Sequence, residues 1–141
     1  MDYMTKLNAA GTAWIDNQWE VGKATAALPA QFPSANAANA SCVATIPAIA
    51  GQTAYITGFD IYAGGATLSA LVDAVVAGLL GGSRTFPFST PAGATLSATP
   101  LSVRFPAPIF ASAVNTAVTV TLAALGAGNT KTAVVALGGY V

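Results

Sequence analysis

From Cys42 onward, short apolar runs alternate with clusters of glycine and proline, and this spacing restricts the chain to short strands. The clearest run, NTAVTVTLAAL, places Val118, Val120 and Leu122 on one face and threonines on the other. Alternation with a period of two is typical of a strand with one buried face. The pattern predicts an all-β fold of about seven or eight strands in an antiparallel two-sheet β-sandwich. Because the Cys-Trp-Cys pattern of immunoglobulin domains is missing, we expect a jelly-roll-like sandwich.

Three other runs predict strands with more specific features. In QTAYITGFDIYAGG, uninterrupted alternation places four side chains on one face, namely Tyr55, Thr57, Phe59 and Ile61. Pro87 in RTFPFST has no amide hydrogen to donate, so that strand is predicted to lie at a sheet edge. PLSVRFPAPIF is expected to stop at Pro106 and Pro108 for the same reason.

Residues 66–80 fit either a strand or a helix. Their apolar residues also match a helical stripe, formed by Leu68, Leu71, Val72, Val75 and Leu79. We favour a strand because the neighbouring segments on both sides are predicted strands and glycines interrupt this one. Further on, GAGNT (126–130) predicts a hairpin turn before the last strand.

The hexapeptide GATLSA occurs twice, from Gly65 to Ala70 and from Gly93 to Ala98. The residues that follow the two copies do not match, so the repeat does not indicate duplication of a larger unit. Neither copy contains a charged or chelating group, so a doubled binding site is not indicated. Each copy is therefore predicted to be a local passage from loop to strand.

Composition favours a component of an assembly. Hydrophobic residues make up 54% of the chain and charged residues 7%, with zero net charge. An isolated protein with so few charges lacks the electrostatic repulsion that keeps soluble proteins apart. In a permanent assembly, part of the apolar surface is buried against other subunits, because large permanent interfaces are hydrophobic and resemble the core of a domain. The basic residues do not cluster into a surface that could bind nucleic acid. No segment is long and apolar enough to span a membrane, and no secretory signal is evident.

The sequence predicts no catalytic, cofactor or metal site and hence a protein that is not an enzyme. Without histidine, the Ser-His-Asp, Cys-His and His-based metal sites are excluded. Asp60 and Asp73 could in principle form a glycosidase pair, but we expect each to lie on a solvated face or to pair with an arginine. Cys42 is predicted to be a small buried apolar residue at a strand start.

The first part of the chain has a different character, which divides the sequence into an extended N-terminal arm (1–41) and a β-sandwich domain (42–141). The arm contains both tryptophans and the Asn-Ala-rich stretch AQFPSANAANAS. Four large side chains are candidate interface anchors, namely Tyr3, Trp14, Trp19 and Phe32. Two alternatives stay open: the arm folds back on the sandwich as extra strands, or it reaches a neighbouring subunit.

Over about residues 50–141, the order of motifs resembles a group of small β-sandwich virion structural proteins of tailed bacteriophages. The motifs are AYITGFDIYAGGAT, GLLGG, TFPFSTPAGAT, PLSVRFPAPIFASAVNTAVTVTL and ALGAGNTKTAVVALGGY. The resemblance implies a virion component that is assembled in the host cytoplasm. It also implies a capsid decoration or cement protein, a homotrimer, and the major capsid protein or other virion proteins as partners.

These observations predict a non-enzymatic protein that binds and stabilises the phage head through its sandwich and its arm. Two alternatives are retained. One is a tail, fibre or head-tail structural protein of the same virion. The other is a carbohydrate-binding module, which would require exposed aromatic side chains such as Tyr55, Tyr62 and Tyr140 to form a platform.

Overall fold

The computed structural model describes residues 30–141, which form eight strands and no helix. The strands are β1 (Ala30–Pro33), β2 (Cys42–Ile46), β3 (Ala54–Ala63), β4 (Ala70–Ala77), β5 (Arg84–Thr90), β6 (Leu101–Phe110), β7 (Val118–Leu122) and β8 (Thr132–Tyr140). They build two antiparallel four-stranded sheets, ordered β1-β8-β3-β6 (sheet A) and β2-β7-β4-β5 (sheet B). The predicted all-β, two-sheet fold is confirmed.

The strand pairing is nested, which makes the sandwich a jelly roll. β1 pairs with β8, β2 with β7, β3 with β6 and β4 with β5, all antiparallel. The chain therefore follows one long hairpin whose tip is the β4–β5 connection. Folding this hairpin over brings β8 beside β3 and β7 beside β4, and so completes both sheets.

The core lies between the sheets and is made by alternate residues of each strand. The predicted inward set of β7, Val118, Val120 and Leu122, is fully buried. Phe59 is also fully buried, and its ring contacts the rings of Phe86 (centroids 5.2 Å apart) and Phe105 (6.5 Å). Truncating a buried phenylalanine to alanine costs about 3–5 kcal/mol, so this aromatic group is a major source of stability.

A β-bulge in β3 corrects the predicted faces of that strand. Its register against both neighbouring strands shifts between Ile56 and Gly58. The extra residue, Thr57, donates its hydroxyl hydrogen to the carbonyl oxygen of Leu137 (3.2 Å). A bulge moves all later residues to the other face, so Ile56 and Phe59 share the core. Grouping Tyr55 and Thr57 with Phe59 was wrong.

Strand β6 also differs from its prediction, because it continues through both prolines to Phe110. β6 is one of the two edge strands of sheet A. Its pairing with β3 passes from Arg104 directly to Ile109, which leaves residues 105–108 without a β3 partner. The prolines fall in this unpaired stretch, where no amide hydrogen is needed. The edge position predicted from Pro87 is confirmed for β5 in sheet B.

The ambiguous segment 66–80 contains strand β4, so the strand interpretation is confirmed and the helical alternative is wrong. Ala74 and Val76 point into the core, while Leu71 and Asp73 are exposed on the other face. β4 lies between β7 and β5, and both neighbours satisfy its backbone hydrogen-bonding groups. A helix could not make these inter-strand bonds, and the sheet environment therefore decides between the two patterns.

Strand β1 lies within the segment that the sequence assigns to the arm. Its residues pair with β8, so sheet A begins at Ala30. Phe32 packs against the core, and its ring meets that of Tyr140 edge-on with the centroids 6.2 Å apart. The edge of the sandwich is thus completed by residues that precede Cys42.

Candidate functional site: the GATLSA end

Four loops meet at one end of the sandwich, and two of them carry the repeated hexapeptide. The loops comprise residues 34–41, 64–69, 91–100 and 123–131. We call this surface the GATLSA end. In a nested antiparallel fold every second connection lies at the same end of the sandwich. Segments that are far apart in sequence therefore lie close together at the GATLSA end.

The two hexapeptide copies bind each other through their backbones. The amide of Gly65 donates to the carbonyl oxygen of Leu96 (2.7 Å), and the amide of Gly93 donates to that of Ala66 (2.6 Å). A Cβ atom on Gly65 would overlap the Gly93 carbonyl oxygen, so this close approach requires glycine. Each copy leads from loop toward strand as predicted, but their mutual contact was not predicted.

The copies present equivalent leucines to solvent. Leu68 is the fourth residue of the first copy and is 76% exposed, while Leu96, the fourth residue of the second, is 53% exposed. Leu71, at the start of β4, is also largely exposed. Large exposed apolar side chains on the loops of one end of a sandwich are candidates for an interaction surface.

Asn129 holds these loops together from within. Its side chain is almost fully buried (3% exposed), and its amide group donates to the carbonyl oxygens of Gly64 (3.0 Å) and Gly65 (3.4 Å). Its side-chain oxygen accepts from the hydroxyl of Thr132 (3.0 Å) and from the amide of Asn39 (3.3 Å). One side chain thus connects three of the four loops with β8.

The loop that carries Asn129 corrects the predicted GAGNT hairpin. β7 belongs to sheet B and β8 to sheet A, so this connection crosses between the sheets. Its glycines have positive φ angles, 111° at Gly126 and 85° at Gly128, as the turn signal indicated. The same local composition serves a hairpin or a crossover, and only the strand order distinguishes them.

An open cavity of about 640 Å³ lies beside the second hexapeptide copy. Tyr62 is half-exposed on its wall, and Asn36, Thr95 and Lys131 supply polar groups around it. Tyr55 is buried, whereas Tyr140 lies near the opposite end and donates its hydroxyl hydrogen to the Pro47 carbonyl oxygen (2.8 Å). The three tyrosines therefore do not form the platform expected for a carbohydrate-binding module.

The outer face of sheet A carries the ion pair of the described residues. Arg104 donates to both carboxylate oxygens of Asp60, at 2.9 and 3.2 Å. The arginine side chain lies across Gly58, where a Cβ atom would come within 2.9 Å of Arg104 Cδ. The hydrogen bond from Arg104 lowers the pKa of Asp60, and that from Ser102 adds to the effect. Asp73 lies on sheet B, so the two aspartates are on opposite outer faces and do not form a catalytic pair.

The predicted site residues are only partly described. Tyr3, Trp14 and Trp19 lie outside residues 30–141, and Phe32 packs against its own sandwich. Cys42 is buried as predicted, with its sulfur 2.9 Å from the hydroxyl of Ser34. Among residues 30–141, no group of three His, Cys, Asp or Glu side chains could hold a metal ion. The same part of the chain has no helix that could span a membrane.

The fold and this surface define a jelly-roll domain with few charges and an apolar, internally braced end. In comparisons with protein-family models, with curated proteins and with solved structures, nothing matches this chain.

Proposed function

We propose that the protein is a non-enzymatic structural protein of a tailed-bacteriophage virion that decorates and stabilises the capsid shell. The jelly roll occurs in viral capsid and lectin domains among others, so the fold is compatible with this role without implying it. The resemblance of the motifs to phage structural proteins supports the assignment to a virion. The surface of the domain supports a role in assembly. The host cytoplasm would be the place of assembly.

The observation that carries the proposal is the GATLSA end, where Leu68 and Leu96 are exposed on a rigid base and Leu71 is exposed at the start of the adjoining strand β4. Burying a leucine that is between half and three-quarters exposed contributes about 1–2 kcal/mol, so three such side chains contribute roughly 3–6 kcal/mol per subunit. The base is fixed in advance by Asn129 and by the contacts between the copies, which reduces the entropy lost on binding. The surface therefore suits docking onto a repeated, apolar lattice site.

The low charge of the sandwich also supports assembly. Residues 30–141 contain only five charged side chains, Asp60, Asp73, Arg84, Arg104 and Lys131, and two of these neutralise each other. We propose a closed homotrimer, because decoration proteins commonly occupy three-fold positions of a capsid and a closed ring lets each subunit bury one apolar patch against its neighbour. A shell-bound subunit then stabilises the shell by mass action. Light scattering of the purified protein measures the oligomeric state directly.

The test is a co-sedimentation assay with capsid shells of the parent phage that lack this protein. We expect wild type to bind and the double variant Leu68→Ser, Leu96→Ser to bind roughly 30-fold more weakly, since about 2 kcal/mol of apolar burial is lost. The matched control is Val43→Ser, which removes an exposed apolar side chain from the outer face of sheet B. Equal affinity of the double variant and wild type would contradict the role of the GATLSA end.

Counting copies in the virion separates the shell from a tail, fibre or head-tail position. A decoration protein is present in numbers comparable with the major capsid protein, whereas a tail component is present in few copies. Quantitative mass spectrometry of purified virions provides this ratio. A low ratio would move the protein to the tail while leaving its structural class intact.

A carbohydrate-binding role is the second candidate, and the cavity beside Tyr62 favours it. An exposed tyrosine with amide and hydroxyl neighbours can stack on a sugar and hydrogen-bond its hydroxyl groups. Specific binding on a glycan array that is lost in Tyr62→Ala would support this role. Array binding that survives the substitution, or no binding at all, would count against it.

A further inference from the structure

The end of the sandwich opposite the GATLSA end carries a second apolar surface. It is formed by Ile49, Leu80, Phe110 and Val114, which are all exposed, and we call it the apolar end. Leu80 is 68% exposed, and its amide donates to the carbonyl oxygen of Phe110 (2.9 Å), so these two residues are adjacent.

Backbone and side-chain hydrogen bonds join the loops of the apolar end into one surface. The amide of Asn115 donates to the carbonyl oxygen of Gln52 (3.0 Å), while the Asn115 side chain accepts from the amide of Gly51 (2.7 Å). The loops 47–53, 78–83 and 111–117 contain no charged residue. An ordered, uncharged surface with four exposed large side chains is suited to covering by an apolar segment.

The N-terminal segment enters the sandwich at this same end. β1 begins at Ala30, which pairs with Gly138, and Gly138 pairs in turn with Ile56. Ile56 faces Ile109, the residue before Phe110. Three strand spacings of about 4.8 Å therefore separate β1 from β6, which places Ala30 within roughly 15 Å of the apolar end.

Residues 1–29 have the reach and the chemistry to cover this surface. Trp14 and Trp19 are the only tryptophans of the protein. The chain from Trp19 to Ala30 spans up to about 36 Å when extended, more than twice the distance to Phe110. A tether of this length gives an effective concentration near the millimolar range, which favours contact within one chain over contact between dilute chains.

Charge complementarity points to the same location. Arg84 follows the loop 78–83 directly, and its guanidinium lies over the ring of Phe105, 5.7 Å from the centroid. No carboxylate among residues 30–141 forms an ion pair with it. Asp16 and Glu20 flank Trp19 in sequence, so a segment that places its indoles on the apolar end brings acidic groups toward Arg84.

We propose that residues 1–29 lie across the apolar end of their own subunit in the free protein, with Trp14 and Trp19 on Leu80 and Phe110. The proposal goes beyond the virion role and does not depend on it. It chooses the fold-back alternative for the free subunit, rather than the contact with a neighbouring subunit.

Intrinsic tryptophan fluorescence of the full chain tests this proposal, because both indoles are in the segment in question. We expect blue-shifted emission that is protected from acrylamide and unchanged on dilution. Leu80→Asp should shift the emission to longer wavelength and abolish the protection, whereas the matched control Leu68→Asp, at the opposite end, should change neither. Solvent-exposed emission in wild type, or equal responses of the two variants, would overturn the proposal.

A disulfide cross-link separates contact within a chain from contact between chains. Trp19→Cys is combined with Leu80→Cys in a Cys42→Ser background, so that only the engineered cysteines can react. We expect an oxidised product of monomer mass under non-reducing conditions. A product of dimer mass only, or no cross-link, would overturn the assignment to the same subunit.

Discussion

Replacing Asn129 with alanine should destabilise the GATLSA end more than any other single change of a loop side chain. The substitution removes the donor to the carbonyl oxygen of Gly65 and the acceptor for the hydroxyl of Thr132, which is itself buried. A buried polar group left without a partner costs about 1–3 kcal/mol. The carbonyl oxygen of Gly64 keeps a second donor, the hydroxyl of Thr90 at 3.0 Å, so breaking the bond from Asn129 to Gly64 costs less. We therefore expect a total loss of about 3 kcal/mol.

Urea and thermal unfolding of Asn129→Ala measure this loss. For a domain of this size, about 3 kcal/mol corresponds to a fall in Tm of roughly 10–15 °C. Asn36→Ala is the matched control, because Asn36 is an exposed loop asparagine whose side chain also binds the backbone. Its amide group donates to the carbonyl oxygen of Thr130 (3.4 Å), and its side-chain oxygen accepts from the backbone amide of Thr132 (3.2 Å). The control should lose less, about 1–2 kcal/mol, because Asn36 is exposed and water can reach the groups that it leaves. Equal losses in the two variants would refute the assignment of a bracing role to Asn129.

Two further predictions concern close packing and charge. Gly65→Ala should separate the hexapeptide copies and lower stability by roughly 2–3 kcal/mol, since its methyl group would overlap backbone oxygen atoms; unchanged urea unfolding would show that the loops can part freely. Because Arg104 lowers the pKa of Asp60, their pair stabilises the fold above the ordinary aspartate pKa, and this contribution is lost as pH falls through the lowered pKa. Arg104 is half-exposed, so the contribution is about 0.5–1 kcal/mol, and Arg104→Met should flatten the acid limb of the stability–pH curve by that amount.

Local patterns in the sequence predicted most of the strands. The alternation at Val118–Leu122 depends only on which side chains are buried, and it holds in the structure. Neighbouring predicted strands were enough to choose a strand for residues 66–80 over an equally periodic helix. Patterns of this kind succeed where one residue on the strand faces one residue on its partner.

The errors arose where that one-to-one pairing fails. The bulge at Thr57 adds a residue to β3, and the one local signal of it is Gly58 inside the strand, which an assignment of faces by alternation alone does not use. The unpaired stretch of β6 accommodates its prolines because it lies at an edge, and edge position is a property of the whole sheet. The hairpin predicted for GAGNT was wrong for a related reason, because whether two consecutive strands belong to the same sheet is also a property of the whole fold.

The candidate site could be predicted only in part. The repeated hexapeptide marked two of the four loops that form the GATLSA end, and the lack of charge in both copies was evident. Their contact follows from the nested strand order, which no local pattern encodes. The bracing role of Asn129 depends on carbonyl groups about 65 residues away in sequence and could not be inferred from GAGNT alone.

The nested strand order also predicts an order of events in folding. The β4–β5 hairpin is joined by the short loop 78–83, so its ends meet at the lowest entropic cost. Once it forms, β3 and β6 are held near each other, and then β2 and β7, so that each pair shortens the loop that the next must close. We expect β1 and β8 to meet last, and a domain with so many distant pairings is expected to fold on the millisecond-to-second scale. During synthesis, the completion of sheet A therefore waits for β8, the last strand to be made.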